Sequence, residues 1–565
     1  MEDSLRETVY SEYVEAWKIH EKSSPEEKPF ENQYAALKKL EKIHASLEEE
    51  LSDEGIIMKA SLEHFIGKIH YTSEDRPSAV QSLQKSLRTL EANLFDNRAL
   101  AIFMKATNDL AIIYCEREEY SSSYALLKQG EKVYEEIGEK SIPLSSIWDS
   151  WEILKPGNER NTADGRKDAF EEVYTHTLFY LSQTCQNLGK VGESSDYCGR
   201  CLHRQLRTIS SKEDFQQFSL HAACLGQYYL TTDDYLSAKT CLLAANRIFA
   251  QVDTVSSDDG EFGRKIEETR NDIKRCWIKY CVAFLEWSSK KLAMRSVAAE
   301  LEAIEDAQPQ QSAIKFDLER FSKYEDECQN IPSKAVHVLP EANKIHKLTQ
   351  KLCEKSLEFF KFDGYVMDHV EISQDLSKSW KNLAEFDTNF ERRCKMHKRR
   401  IDLLTPLVAG LNPQYYLQVV RQLQYEIGEV YSEMTELKMA IANNDEVPTV
   451  HQIKKINVLA NSGIKFFTGF IDSCREADKK LPKRFEKILV RPVLMAHFHV
   501  ARLYGKMISP VMSDRVDWTK KSWQAYKTIL MFCEQDPSAK DEIPDEYDLV
   551  IEMDALMPQK LQQLN

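Results

Sequence analysis

The residues with the sharpest chemical look are Cys198 and Cys201, which flank Gly-Arg and are followed at once by His203. Two cysteines at this spacing beside a histidine are ligands of the type that zinc and thiol-redox sites use. Zinc needs four ligands, however, and no second pair of that kind exists in the sequence to complete a tetrahedral set. The pair also falls on an expected helix at positions that call for small residues, and cysteine readily serves as a small apolar side chain. The expectation is packing rather than metal or redox chemistry.

The other conspicuous cluster is the run 391–400, ERRCKMHKRR, which gathers Arg392, Arg393, Lys395, Lys398, Arg399 and Arg400. It reads as a solvated or intramolecularly paired helix face, as a second contact surface for an acidic patch on a partner, or as a nucleic-acid site. Acidic surroundings and the lack of interleaved aromatics count against nucleic acid. The familiar catalytic signatures are missing from the sequence: no glycine-rich phosphate loop, no HExxH and no GxSxG. Acidic runs such as the one at 48–50 read as solvated helix faces. The sequence thus points to no catalytic residue, no metal ligand and no cofactor, and to a scaffold rather than an enzyme.

The elements that would position such residues are helices. Only 18 glycines and 17 prolines punctuate 565 residues, far too few for a chain built on sheets and tight turns. This length calls for a string of domains or one elongated repeat array. Apolar residues make up 42%, yet no run approaches the roughly 18 consecutive apolar residues of a membrane span. The opening MEDSLRETVY lacks the basic and apolar regions of a secretion signal, so a cytoplasmic chain without membrane insertion is expected. Thirteen cysteines, an odd number scattered through apolar contexts, suit reduced thiols. A net charge of -15, from 75 basic and 90 acidic residues, repels phosphate backbones and favours a basic protein surface as partner.

A repeat emerges within the helical pattern. In a tetratricopeptide unit, helix A carries a large apolar residue, then a small one and an aromatic a turn later, while helix B places a small residue at the crossing. Short side chains are required there because two helix backbones must come close. Ile66-Gly67 with His70, Leu110-Ala111 with Tyr114, Leu181-Ser182 with Cys185, Leu225-Gly226 with Tyr229, and Ile427-Gly428 with Tyr431 all fit; Leu383-Ala384 and Val500-Ala501 read as further helix A segments. Successive copies lie further apart than the roughly 34-residue norm, which implies longer helices. The stretch 141–164 reads as a long surface loop. Ile266, Ile273, Trp277, Tyr280 and Phe284 recur at helical spacing along one long amphipathic spine.

These signals divide the chain into an N-terminal tetratricopeptide-like part, 1–260, a long connecting helix with a polar and flexible joint, 261–334, and a C-terminal tetratricopeptide-like part, 335–565. If Leu178, Leu181, Ser182 and Cys185 pack inward, the 3.6-residue period turns His176, Phe179, Tyr180, Gln183 and Gln186 toward the inner surface with which repeat arrays read partners.

Several longer strings carry a resemblance. FEEVYTHTLFYLSQ at 170–183, RQL at 204–206, RCWIKYC at 275–281 and FDGYVMDHVEISQD at 362–375 are similar to the kinesin-family binding protein family. So are ERRCKMHKRRIDLLTPL at 391–407, LNPQYYL at 411–417 and VARLYGKMI at 500–508. The resemblance implies an all-α, right-handed α-solenoid of tetratricopeptide-like helix pairs in two subdomains joined by a long helix. It further implies a non-enzymatic, cytoplasmic and cytoskeleton-associated role: binding the motor domains of a subset of kinesins, with other cytoskeletal proteins as further candidates, and keeping those motors off microtubules in axonal and mitochondrial transport. The family's binding residues correspond to Tyr180, Gln183 and Gln205, and the following helix A at 220–230 contributes Gln227. Cys224 stands where the family has a hydroxyl residue, and the acidic insert near 52–55 is short. The rival reading is a co-chaperone or adaptor that grips acidic peptide tails, which would need a groove lined with lysine and arginine.

Overall fold

The computed structural model of the protein describes residues 3–22, 30–47, 52–155, 161–252, 260–298, 312, 314–324, 327–443, 447–476, 480–482 and 484–564. Among them the regular structure is helical, and the chain is all-α, a succession of helix pairs of the α-solenoid class. Residues Met1–Tyr228 and Ile314–Ser322 form one compact unit, and Tyr229–Ala313 with Lys323–Asn565 form another. The expected boundary at 254–260 lies almost wholly outside the described residues, as does the acidic run 48–50. The division between units falls earlier, inside a helix.

The first unit runs through α1 (Asp3–His20), α2 (Glu31–Ser46), α3 (Asp53–Thr72), α4 (Arg76–Leu90), α5 (Leu100–Glu116), α6 (Tyr120–Glu139), α7 (Ala163–Asn187), α8 (Val191–Gln205) and most of α9 (Lys212–Thr231). The turns out of α3, α5 and α7 are closed in the same way. Glu74, Glu118 and Gly189 adopt φ of 63°, 61° and 71°, the left-handed conformation that ends a helix. The next amide then reaches back to the carbonyl of the repeat's diagnostic residue: Asp75 to His70 at 2.9 Å, Glu119 to Tyr114 at 2.8 Å and Lys190 to Cys185 at 2.9 Å. Asp75 goes on to cap α4 by accepting from the Ser78 amide at 3.2 Å.

The small positions are where helices cross. A Cβ on Gly67 would meet Leu83 at 2.8 Å, which explains why α3 and α4 tolerate nothing larger there. At the α7–α8 crossing, Ser182 Oγ donates to Ser194 O at 2.9 Å, and Ser194 Oγ donates back to Ser182 O at 2.8 Å.

Two expectations are corrected in this unit. The stretch 141–164, of which 156–160 lie outside the described residues, is not simply a surface loop: Ile147, Ile153 and Leu154 are buried, the latter two in the core shared by α1, α2 and α3. Glu152 is fully buried and accepts from Arg166 Nε at 2.9 Å. Apolar side chains make this segment an anchored strap. Likewise, the polar joint expected at 308–334 is in part firmly packed, although 301–311, 313 and 325–326 lie outside the described residues. Ile314 and Phe321 are buried, Phe316 lies against His203 and Phe218, and Arg320 Nη2 donates to Ile209 O at 2.9 Å.

The second unit holds α10 (Tyr235–Phe249), α11 (Glu261–Ala298), α12 (Leu339–Phe359), α13 (Val366–Ala384), α14 (Phe390–Gly410), α15 (Pro413–Ala442), α16 (Val450–Ser473), α17 (Lys487–Lys506), α18 (Met512–Gln535) and α19 (Pro544–Leu564). The 38-residue α11 is the expected spine, with Ile273, Trp277, Tyr280 and Phe284 all buried. It packs against α10, α12 and α13. Gly428 of α15 lets Phe467 of α16 approach so closely that an added Cβ would meet the ring at 2.9 Å.

Candidate partner-binding face

Helix α7 sorts its residues by face. Leu178, Leu181 and Cys185 are buried, whereas His176, Gln183 and Gln186 are exposed and Phe179 and Tyr180 are half-buried. The last two rings meet edge to face, 5.4 Å apart, and Phe179 lies 5.5 Å from His221 of α9. Gln227 is half-buried further along α9, one turn past the exposed Cys224.

Successive A helices of the first unit enclose a groove of about 330 Å³. Tyr13 and Trp17 of α1, His64 and Phe65 of α3, Asp109 of α5, and His176 and Tyr180 of α7 line it, and Asp149 to Trp151 of the strap close one side. Trp17 stacks on Phe65 at 5.0 Å. His64 Nε2 lies 2.8 Å from Asp109 Oδ2, and Lys105 pairs with Asp149.

Burial alone would push the Asp109 and Asp149 carboxyls up. For Asp109 the hydrogen bond and charge of His64, with Lys68 and Lys105, outweigh it; for Asp149 the Lys105 ammonium does, so both stay below the ordinary carboxylate range. Burial, together with the nearby Asp109 charge, raises the Tyr180 phenol and keeps it a neutral O–H donor. Fixed carboxylates beside the half-buried rings of Trp17, Trp151 and Tyr180 suit the capture of lysine- and arginine-bearing protein surfaces.

The structure thus places His176 and Tyr180 in the groove, and Phe179, Gln183, Gln186 and Gln227 on α7 and α9. Gln205 does not line it: this residue ends α8, and its Oε1 is buried with no hydrogen-bond partner among the described residues. The sequence reading missed the contribution of Tyr13, Trp17, Phe65 and Asp109. Their signal was the four-residue spacing of Tyr13 with Trp17, Ser61 with Phe65, and Lys105 with Asp109, each pair on one helical face.

Of the other two clusters, the cysteine pair is packed inward, whereas the basic run stays largely exposed and mostly paired within the chain. Burial pushes the Cys198 and Cys201 thiols up to about 12, and His203 Nδ1 lies 2.8 Å from Gly199 O while its ring stacks on Phe316. Among the described residues no group of three or more His, Cys, Asp or Glu side chains could hold a metal ion. In the basic run, Arg392 Nε donates to Asp387 at 2.7 Å, Arg393 pairs with Glu385 at 3.4 Å and Lys398 with Asp402 at 2.7 Å. Arg400 is buried, so its assignment as a surface contact is corrected; Lys395 and Arg399 are exposed. Among the described residues no helix is long and apolar enough to cross a membrane.

Comparison with known proteins gives a consistent pattern. The family model described as KIF-1 binding protein C terminal matches residues 216–564. The chain is 35% identical over 570 residues to the KIF-binding protein of Gallus gallus, covering 97% of this chain and 95% of that protein. To the KIF-binding protein of Homo sapiens it is 35% identical over 528 residues, covering 89% and 83%. A solved structure described as Kinesin binding protein (KBP) matches with a TM-score of 0.65 at 30% identity, over 99% of both chains.

Proposed function

The chain belongs to the KIF-binding protein family, and on that premise we propose that it is a non-enzymatic scaffold that clasps kinesin motor domains on the helix-A face of its first unit. The observation that carries this reading is the groove itself, where anionic Asp109 of α5 and Asp149 of the strap sit among Trp17, Phe65 and Tyr180 of successive A helices. Motors grip acidic tubulin through a basic surface, and an acidic face competes for that surface by complementarity of charge and shape. Occupying it blocks microtubule attachment, which places the protein in the cytoplasm beside the cytoskeleton as a regulator of axonal and mitochondrial transport, acting on a subset of kinesins.

Changing Tyr180 and Gln183 together to alanine tests the reading. Each contact is worth about 1–2 kcal/mol at an interface. The double variant is expected to melt as the parent does, to bind a purified motor domain at least tenfold more weakly, and to fail to reduce motor cosedimentation with microtubules. Unchanged affinity moves the site elsewhere.

A further inference from the structure

A pocket in the second unit points to a partner of opposite charge. It lies among α10, α11 and α12, has a volume of about 610 Å³, and is walled by Phe249, Ile273, Trp277 and Phe359. Trp277 is 1% exposed, yet its Nε1–H has no hydrogen-bond partner among the described residues. Buried indole N–H groups normally find an acceptor, because a donor stripped of water and left unpaired is costly.

Lys274 stands one turn earlier on the same face of α11 and donates to Asn271 Oδ1 at 3.1 Å. Burial holds its ammonium below the ordinary lysine value, with Glu267 and Glu358 opposing and Arg270 and Lys355 reinforcing the shift. Arg270 and Lys355 also line the pocket. The nearby carboxylates are largely committed: Glu267 accepts from Arg270 at 3.0 Å, and Glu327 accepts from Lys351 and, at 3.3 Å, from Lys355. Glu358 stands exposed at the rim. The Trp277 N–H and the Lys274 ammonium are thus donors directed at a pocket whose described carboxylates Glu267 and Glu327 already accept from other cations.

We propose that this pocket receives a carboxylate side chain of an acidic peptide segment on a partner protein, its oxygen accepting from Trp277 Nε1–H and its charge meeting the Lys274 ammonium. A polar acceptor at the end of a slot with mixed apolar and charged walls fits a glutamate, whose methylenes lie against Phe249 and Phe359 while the carboxylate meets the Trp277 N–H and Lys274. The binding mode is separate from the helix-A face, so the failure of one leaves the other standing.

The test is fluorescence anisotropy of the full chain with a dye-labelled ten-residue glutamate peptide, and with its glutamine counterpart as control. The glutamate peptide is expected to bind and the glutamine peptide not. Lys274→Met is expected to weaken binding at least tenfold, and Trp277→Phe, which removes the N–H but keeps a ring, about fivefold. Because Trp277 is a core residue, Lys355→Met at the rim provides a variant that keeps the fold, with a loss of about threefold. Equal binding of both peptides, glutamate binding that none of the three substitutions alters, or binding confined to a phosphoserine peptide would each overturn the proposal.

Discussion

Arg400 Nη1 donates to Glu433 Oε2 across 2.8 Å, so the last arginine of the most basic stretch of the sequence is a tie between α14 and α15 rather than a surface charge. The guanidinium is 2% exposed, also donates from Nε to Ser377 Oγ at 3.2 Å, and lies 3.6 Å from Glu426. Three helices of the second unit meet on one cation. Arg400→Ala is expected to cost about 3 kcal/mol, at the low end for a broken buried pair because Glu433 keeps part of its side chain in water. Arg399→Ala, on the exposed side, stays within about 0.5 kcal/mol. Urea unfolding of the two variants measures the difference, and equally small effects would contradict the tie.

The repeated turn makes a second prediction. Glu74 and Glu118 are exposed and hold left-handed φ, a conformation that costs an L side chain roughly 1 kcal/mol and glycine nothing. Glu118→Gly is therefore expected to raise stability by about 0.5–1 kcal/mol and Glu118→Val to lower it. A lower melting temperature for the glycine variant would contradict the assigned backbone.

Acid is expected to destabilise the protein well before carboxylates titrate. Burial lowers His346, His397, His497 and His499 from 6.5 to about 4 in the folded chain. Between those values the unfolded chain binds more protons than the folded one, so stability present above pH 6.5 is lost as pH falls toward 4. Each histidine contributes up to about 1.4 kcal/mol per pH unit over that window. Asp272, Asp375 and Glu429, whose carboxyls burial raises, act in the opposite sense at lower pH. Urea midpoints at pH 7.5 and 5.5 check this, with the lower midpoint expected at 5.5.

Cys224 offers a footprint for the motor. It is the exposed cysteine among the thirteen, and it lies one turn beyond His221, which faces Phe179. A maleimide is expected to label it first, and a bound motor domain is expected to slow that labelling at least fivefold. Undiminished labelling in a saturated complex would place the contact away from α9.

Much of this was legible because the repeat is a local pattern. Leu110-Ala111, Leu225-Gly226 and Ile427-Gly428 announce helix crossings through residues adjacent in sequence, and the spine of α11 shows in its Trp277, Tyr280 and Phe284 spacing. Cys201 reads correctly as packing for the same reason. What stayed hidden depends on distant partners. Nothing near Arg400 in the sequence reveals Glu433, and the loop residues Glu152 and Ile153 look exposable until Arg166 and the core of α1 and α3 are in place. The groove was half seen, since α7 carries a family string whereas Tyr13 and Trp17 lie in a helix without the repeat signature.

The measurement that bears most directly on the account is a crosslinking map of the full chain bound to one kinesin motor domain, using a lysine-reactive reagent. Lys68, exposed at the groove, and other lysines of the first unit's A helices are expected to link to the motor's microtubule-binding surface. Links confined to the second unit, such as from Lys395 on α14, or failure of any motor domain to form a complex, would contradict it.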